Sequence, residues 1–170
     1  MKDAVPQEHK AHAPASVGCF VLTISDSKTS ETDTSGALIR ELLSAAGHRI
    51  TGHAIVKDEP AQVAAVIRSG CAAPSVEAFI ITGGTGITSR DSTFEAIETL
   101  LDKRLAGFGE LFRMLSYQEI GAAAMLSRAQ GGVVLGRVLF SLPGSPNACR
   151  LALEKLIIPE LPHLIREVKR

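Results

Sequence analysis

Ile80-Ile81-Thr82-Gly83-Gly84-Thr85-Gly86, followed by Arg90-Asp91-Ser92-Thr93, decides how this chain folds. A β-branched apolar run stops at a glycine-rich turn, and a helix opens directly afterwards with an aspartate at its mouth. Glycines let backbone N–H groups turn toward one point, because no Cβ blocks the approach. The helix N-terminus adds partial positive charge at the same point. Such a build suits a phosphate-bearing ligand. Asp91 beside it is the residue type that holds Mg²⁺, a hard cation that takes oxygen ligands. The stretch is neither the GxGxxG dinucleotide fingerprint nor a P-loop, which would need Gly-Lys-Ser/Thr. A tight strand-to-helix connection would also use Gly-Gly, but three glycines exceed what a bare turn requires.

Working outward, Val17 to Ile24 reads as a buried parallel strand. It ends in the polar loop Ser25-Asp26-Ser27. Thr34-Ser35-Gly36 opens a helix whose Leu38, Ile39, Leu42 and Leu43 recur at helical spacing, and Gly47 stops it. Arg49 to Val56 is a second strand, after which Asp58 is expected to cap a helix carrying Val63, Val66 and Ile67. Val76 to Ile81 is the third strand. Ser92-x-x-Glu95 has the pattern of a capping box for a helix over Phe94 to Leu101. Phe108 to Ala129 reads as mostly helical with a break at Gly121, and Val133 to Phe140 as one strand interrupted by Gly136. Pro143-Gly144 makes a turn, and Ser145 and Pro146 fit the N-cap and first position of a long last helix, interrupted by Pro159 and Pro162. The alternation predicts a three-layer α/β/α domain: a mostly parallel sheet with helices on both faces.

With 170 residues, one domain is expected, spanning 16–170 behind a disordered tail over 1–15. His9 and His12 in that tail lack the further ligands a metal would need. Eighteen basic and eighteen acidic residues cancel, against general binding to nucleic acid or a membrane surface. No apolar run reaches the roughly 18–20 residues that span a bilayer, and the N-terminus has no signal-peptide pattern. Cys19, Cys71 and Cys149 are far apart without CxxC spacing. Reduced thiols and a cytoplasmic location are the expectation.

Ligands of open parallel sheets bind at the C-terminal strand ends. Four polar clusters fall there: Ser25-Asp26-Ser27, Lys57-Asp58-Glu59, Thr82 to Asp91, and Leu142 to Asn147. Singly, Asp58 and Asp91 are explained by helix capping and the helix dipole. Together beside a phosphate cradle they form a candidate Mg²⁺ pair, since Mg²⁺ is held by one or two carboxylates plus substrate phosphates.

These stretches, with Glu31 to Gly36, Gly107-Phe108-Gly109-Glu110, Met125-Leu126-Ser127-Arg128 and Leu142 to Pro146, resemble the MoaB/Mog family of molybdenum cofactor biosynthesis, over roughly residues 16–168. Glu31–Gly36 and Phe112–Glu119 look more like the MoaB branch. The resemblance implies a molybdopterin-binding fold that assembles as homotrimers or homohexamers. It implies Mg²⁺-dependent adenylylation of molybdopterin by ATP with release of pyrophosphate, and hand-over to a molybdate-insertion protein. The alternative is a non-catalytic molybdopterin carrier or scaffold; a nucleotide hydrolase on the same fold ranks behind both. By resemblance, Asp58 and Asp91 are the catalytic, metal-holding carboxylates. Thr82, Gly83, Gly84, Thr85, Gly86, Pro143, Gly144 and Ser145 would bind nucleotide. Ser25, Asp26, Arg90, Ser116, Ser127 and Arg128 would lie toward the pterin. Asp33 and Glu110 match positions near the pocket without an assigned role. The apolar segment holding Phe108, Leu111, Phe112 and Met114 is either a subunit contact or a core helix.

Overall fold

Neighbouring residues on the central strands point to opposite faces, and in this chain both faces are apolar. Val21, Ile80 and Phe140 face one core, with Ile39 and Leu43. Leu22, Ile81 and Leu139 face a second, with Val63, Ile67 and Ile97. A sheet so built must be covered on both sides, which is the three-layer α/β/α domain expected. The computed structural model describes residues 14–89 and 91–170. His9, His12, nearly all of the expected tail and Arg90 lie outside the described residues.

The elements run β1 (Gly18–Ile24), α1 (Thr34–Ala45), β2 (Arg49–Val56), α2 (Pro60–Ala72), β3 (Ala78–Thr82) and α3 (Thr93–Leu100). They continue through β4 (Lys103–Arg104), α4 (Ala106–Ile120), a 3₁₀ segment (Gly121–Leu126), β5 (Gln130–Val134), β6 (Arg137–Leu142), α5 (Pro146–Ala152), a π-turn (Leu153–Ile157) and α6 (Ile158–Val168). The sheet order is β2-β1-β3-β6-β5-β4. β2, β1, β3 and β6 are parallel; β5 is antiparallel to both its neighbours. The chain leaves β1 for one side through α1, then crosses back through α2 to β3 on the other side. That reversal opens a crevice beyond the C-terminal ends of β1 and β3, where the glycine turn lies.

Four expectations need correction. Residues 133–140 are not one strand: β5 and β6 form a hairpin around Leu135 (φ 47°) and Gly136 (φ 73°). A two-residue turn with positive φ at both positions usually carries Asn-Gly or Asp-Gly, and a leucine there disguises it. Second, α2 takes Glu59 as its N-cap residue, without a side-chain cap, so Asp58 does not cap it. Third, Ser92 and Glu95 close no capping box; Ser92 Oγ donates to Asp58 Oδ1 at 3.3 Å and Glu95 pairs with Arg128. Fourth, the last helix is interrupted before its prolines, by the π-turn, and runs on through Pro162. Pro159 lies in the first turn of α6, directly after the π-turn.

Candidate functional site

Gly83 and Gly84 have φ of +96° and +65°, a region costly for residues with a Cβ. Space also excludes one: a Cβ on Gly83 would lie 2.1 Å from the Ile24 carbonyl oxygen, and on Gly84 2.5 Å from Thr93 Cβ. The turn is thus pressed against the ends of β1 and α3. Gly83 N–H donates to Leu142 O at 3.0 Å, and Thr82 Oγ1 donates to Pro143 O at 3.0 Å. Ser35 Oγ, at the start of α1, donates to Gly144 O at 2.7 Å. Ser145 caps α5 by accepting from Ala148 N–H. The proposed nucleotide-binding residues from β3 and from the β6–α5 loop are therefore brought together.

Both aspartates meet this turn. Asp58 is buried, and its Oδ1 accepts from Thr93 Oγ1 at 2.7 Å, Ser92 Oγ at 3.3 Å and Ser92 N–H at 3.4 Å. Asp58 thus closes the N-terminus of α3 rather than of its own α2. Its Oδ2 lies toward Gly84, 3.0 Å from where a Cβ would stand. Asp91 Oδ2 accepts from Thr88 Oγ1 at 2.5 Å and Thr88 N–H at 3.0 Å. A Cβ on Gly86 would lie 2.4 Å from that same oxygen. The Thr88 hydroxyl bond holds the Asp91 carboxyl below its ordinary range, helped by the backbone of Thr88 and Gly86 and the charge of Arg128. Asp91 is therefore ionised at neutral pH.

Among the residues expected toward the pterin, Arg128 is already engaged. Its Nε donates to Thr85 O at 3.0 Å, its other nitrogens reach Gly86 O and Glu95, and its guanidinium lies 4.7 Å above the Phe94 ring. It clamps the outer half of the glycine turn. Ser127 and Arg128 also line a cleft of about 430 Å³ against α4. Ser116 does not: it is on the buried face of α4 with Phe108 and Phe112. Ser25 Oγ accepts from Ser27 and Lys28 N–H, fixing the β1–α1 loop, and Asp26 Oδ1 accepts from Asp58 N–H at 3.2 Å.

Asp33 gains a definite place. It is buried and caps α1, with Oδ1 accepting from Gly36 N–H and Oδ2 from Thr23 Oγ1, while His53 Nε2 lies 3.2 Å from Oδ2. Reading the sequence missed its partners, and saw Ser35 only as part of a helix start.

No group of three or more His, Cys, Asp or Glu comes together as a ligand set among the described residues. Two carboxylates at a glycine turn fit Mg²⁺ instead, which leaves the remaining positions to phosphate oxygens and water. No helix among the described residues is long and apolar enough to cross a membrane.

Residues 20–163 match the family model described as a probable molybdopterin binding domain. Molybdenum cofactor biosynthesis protein B of Bacillus cereus is 52% identical over 164 residues, 96% of this chain and 97% of that protein. A crystal structure of a molybdenum cofactor biosynthesis protein B superposes with a TM-score of 0.90 at 52% identity, covering 94% of this chain and 99% of that one. The tungsten cofactor synthesizing protein MoaB from Pyrococcus furiosus gives 0.84 at 38% identity, over 93% and 100% of the two chains. The fold, the gathered strand-end loops and these likenesses together make the chain a member of the molybdopterin-binding family of molybdenum cofactor biosynthesis, on its MoaB branch.

Proposed function

We propose that the chain adenylylates molybdopterin at the expense of Mg²⁺–ATP. The observation that carries this reading is the meeting of two carboxylates on one glycine turn, Asp58 against Gly84 and Asp91 against Gly86. In the reaction, an oxygen of the pterin's terminal phosphate attacks the α-phosphorus of ATP. The new P–O bond forms as the bond to the β-phosphate breaks, and pyrophosphate leaves. A phosphate monoester is already ionised at neutral pH, so no general base is required. Catalysis then reduces to aligning two polyanions and offsetting their repulsion. The N–H groups around Gly83 to Gly86 would receive nucleotide phosphate, with Pro143, Gly144 and Ser145 walling the nucleotide. Asp58 and Asp91 would hold Mg²⁺, which supplies charge neutralisation when bound. Leu111, Met114, Tyr117 and Ile120 are exposed on α4, which suits a homotrimer or homohexamer; Phe108 and Phe112 of that segment belong to the core.

A specific observation favours the second reading, a pterin carrier without turnover: every bond to the Asp58 carboxylate described above is accounted for by capping α3. Pyrophosphate release with molybdopterin, ATP and Mg²⁺, with Asp91→Asn alongside, separates the two. Release that requires the pterin and disappears in the variant supports adenylyl transfer. Pterin binding without release supports the carrier, and release without pterin points to a hydrolase.

A further inference from the structure

The loops around the crevice are tied to one another in a closed ring. Asp26, after β1, accepts on Oδ1 from Asp58 N–H at 3.2 Å. Asp58, after β2, accepts from Thr93 Oγ1 at the start of α3 at 2.7 Å, and Thr93 packs on Gly84. Gly83 N–H, after β3, donates to Leu142 O at 3.0 Å. Gly144, after β6, accepts on its carbonyl from Ser35 Oγ at 2.7 Å, a bond across 109 residues. Ser35 lies in α1, which follows the loop that holds Asp26, so this last bond closes the ring.

Each carbonyl of the β6–α5 loop has a different holder. Leu142 O takes the Gly83 N–H, and Pro143 O takes the Thr82 hydroxyl at 3.0 Å with Cys149 Sγ at 3.4 Å. Gly144 O is held from α1. A serine hydroxyl near a helix start commonly serves its own backbone. Here Asp33 already caps α1 through Gly36 N–H at 2.9 Å, which leaves the Ser35 hydroxyl for the loop. The start of α1 is itself fixed to two strands: Asp33 Oδ2 accepts from Thr23 Oγ1 of β1 at 2.7 Å and lies 3.2 Å from His53 Nε2 of β2. Ser35 is buried, whereas Gly144 is exposed. A Cβ on Gly144 would stand 3.5 Å from Gly83 Cα, so a shift of the loop changes its fit against the glycine turn.

We propose that Ser35 is a positioning residue for the nucleotide. Its hydroxyl sets where the Gly144 peptide stands against the glycine turn, and with it the wall on which a nucleotide rests, without touching the ligand. The proposal rests on the reading of the glycine turn and the β6–α5 loop as the nucleotide site. It does not need turnover.

The test is equilibrium binding of Mg²⁺–ATP and, separately, of molybdopterin to the full chain and to Ser35→Ala and Ser35→Cys. Pyrophosphate release, thermal unfolding and amide hydrogen exchange are followed on the same preparations. Ser35→Ala is expected to weaken Mg²⁺–ATP about fivefold, near the net worth of one hydrogen bond. KM for ATP should rise by a similar factor with kcat within about twofold, and molybdopterin affinity should stay within about twofold. The melting temperature should barely move, because water can take the place of Ser35 at the exposed Gly144 carbonyl. Exchange should quicken in the β6–α5 loop while the central strands keep their protection. Ser35→Cys, close in shape with a weaker donor, should fall between; if Ser35→Ala fails to fold, the same comparison is read on Ser35→Cys. Unchanged ATP affinity in the folded variant overturns the assignment, as does an equal loss of ATP and molybdopterin affinity. ATP binding that depends on Ser35 in a chain releasing no pyrophosphate upholds the positioning role while removing the adenylylation reading. A wild-type chain that binds molybdopterin but no ATP removes both.

Discussion

Asp58 Oδ1 accepts a 2.7 Å hydrogen bond from Thr93 Oγ1, 35 residues further along the chain. One carboxylate thereby joins the loop after β2 to the first turn of the helix after β3, and holds its second oxygen against Gly84. Capping and ligand holding are compatible here because they use different oxygens. They are also separable by substitution. Asp58→Ala leaves buried Thr93 and the start of α3 without an acceptor and should cost about 1–3 kcal/mol of stability. Asp58→Asn keeps an oxygen for Thr93 and should cost less than about 1 kcal/mol. Under the proposed reaction both lose turnover, since neither offers an anionic oxygen at Gly84. Denaturant unfolding with pyrophosphate assays checks both halves. Full activity in a stable Asp58→Asn would make the residue a cap alone.

Asp91 is tuned by Thr88. Its folded-state pKa is depressed, first by the Thr88 hydroxyl bond, so its contribution to stability is present above the unfolded value of about 3.9. That contribution is lost as pH falls through the lower, folded value. Thr88→Val removes the hydroxyl donor and retains the backbone one. The folded pKa should rise toward the ordinary value, and the acid-side loss should begin at higher pH. Carbon-13 NMR of the Asp91 carboxyl, titrated through the range below about pH 6, reads the shift directly. An unmoved titration would mean that the hydroxyl bond is not what holds the carboxylate.

Gly86 has a different reason to be glycine from Gly83. Its φ is outside the left-handed region, and what a Cβ would meet is the Asp91 carboxylate, 2.4 Å away. Gly83 combines φ +96° with a backbone oxygen at 2.1 Å. Gly83→Ala should therefore cost several kcal/mol, about 2–4, through strain and overpacking. Gly86→Ala should cost under about 1 kcal/mol, because the exposed side of the turn can yield, yet it displaces Asp91. Turnover should fall about tenfold or more, a misplacement effect. Thermal unfolding of the two variants, compared with their rates, tests the distinction.

How far the sequence could be read follows the range of the interactions. β1, β2 and β3 were legible because β-branched runs and glycine stops are local signals. The glycine turn and its aspartate were legible for the same reason. The hairpin was not, because Leu135 occupies a left-handed turn position that its side chain gives no hint of. Asp58 had the composition and place of an N-cap for α2, but its carboxylate bonds to Ser92 and Thr93 at the start of α3; no local pattern says which helix such a carboxylate serves. Ser92 and Glu95 matched a capping box, yet Asp58 and Arg128 took their side chains.

Arg128 ties the cleft to the glycine turn, and this gives the last prediction. Its Nε–H to Thr85 O bond at 3.0 Å and its contact with Gly86 O fix two carbonyls of the turn. Holding those carbonyls fixes the peptide planes of the turn, and with them the adjacent N–H groups proposed to receive phosphate. Glu95 and the Phe94 ring hold the guanidinium in turn. Arg128→Gln removes the planar fork and frees the 83–86 turn without touching the ligand-facing atoms. ATP affinity should drop about tenfold, the loss of two charge-assisted hydrogen bonds partly recovered by water. Amide hydrogen exchange across 83–91 should quicken at the same time, while the strands keep their protection. Arg128→Lys should recover little, because one ammonium cannot hold two carbonyls, Glu95 and a ring together. If Arg128 instead contacts the pterin directly, the variant should lose pterin affinity with unaltered ATP binding and unaltered exchange in the turn. Measuring both affinities and exchange on one preparation decides between a positioning residue and a substrate contact.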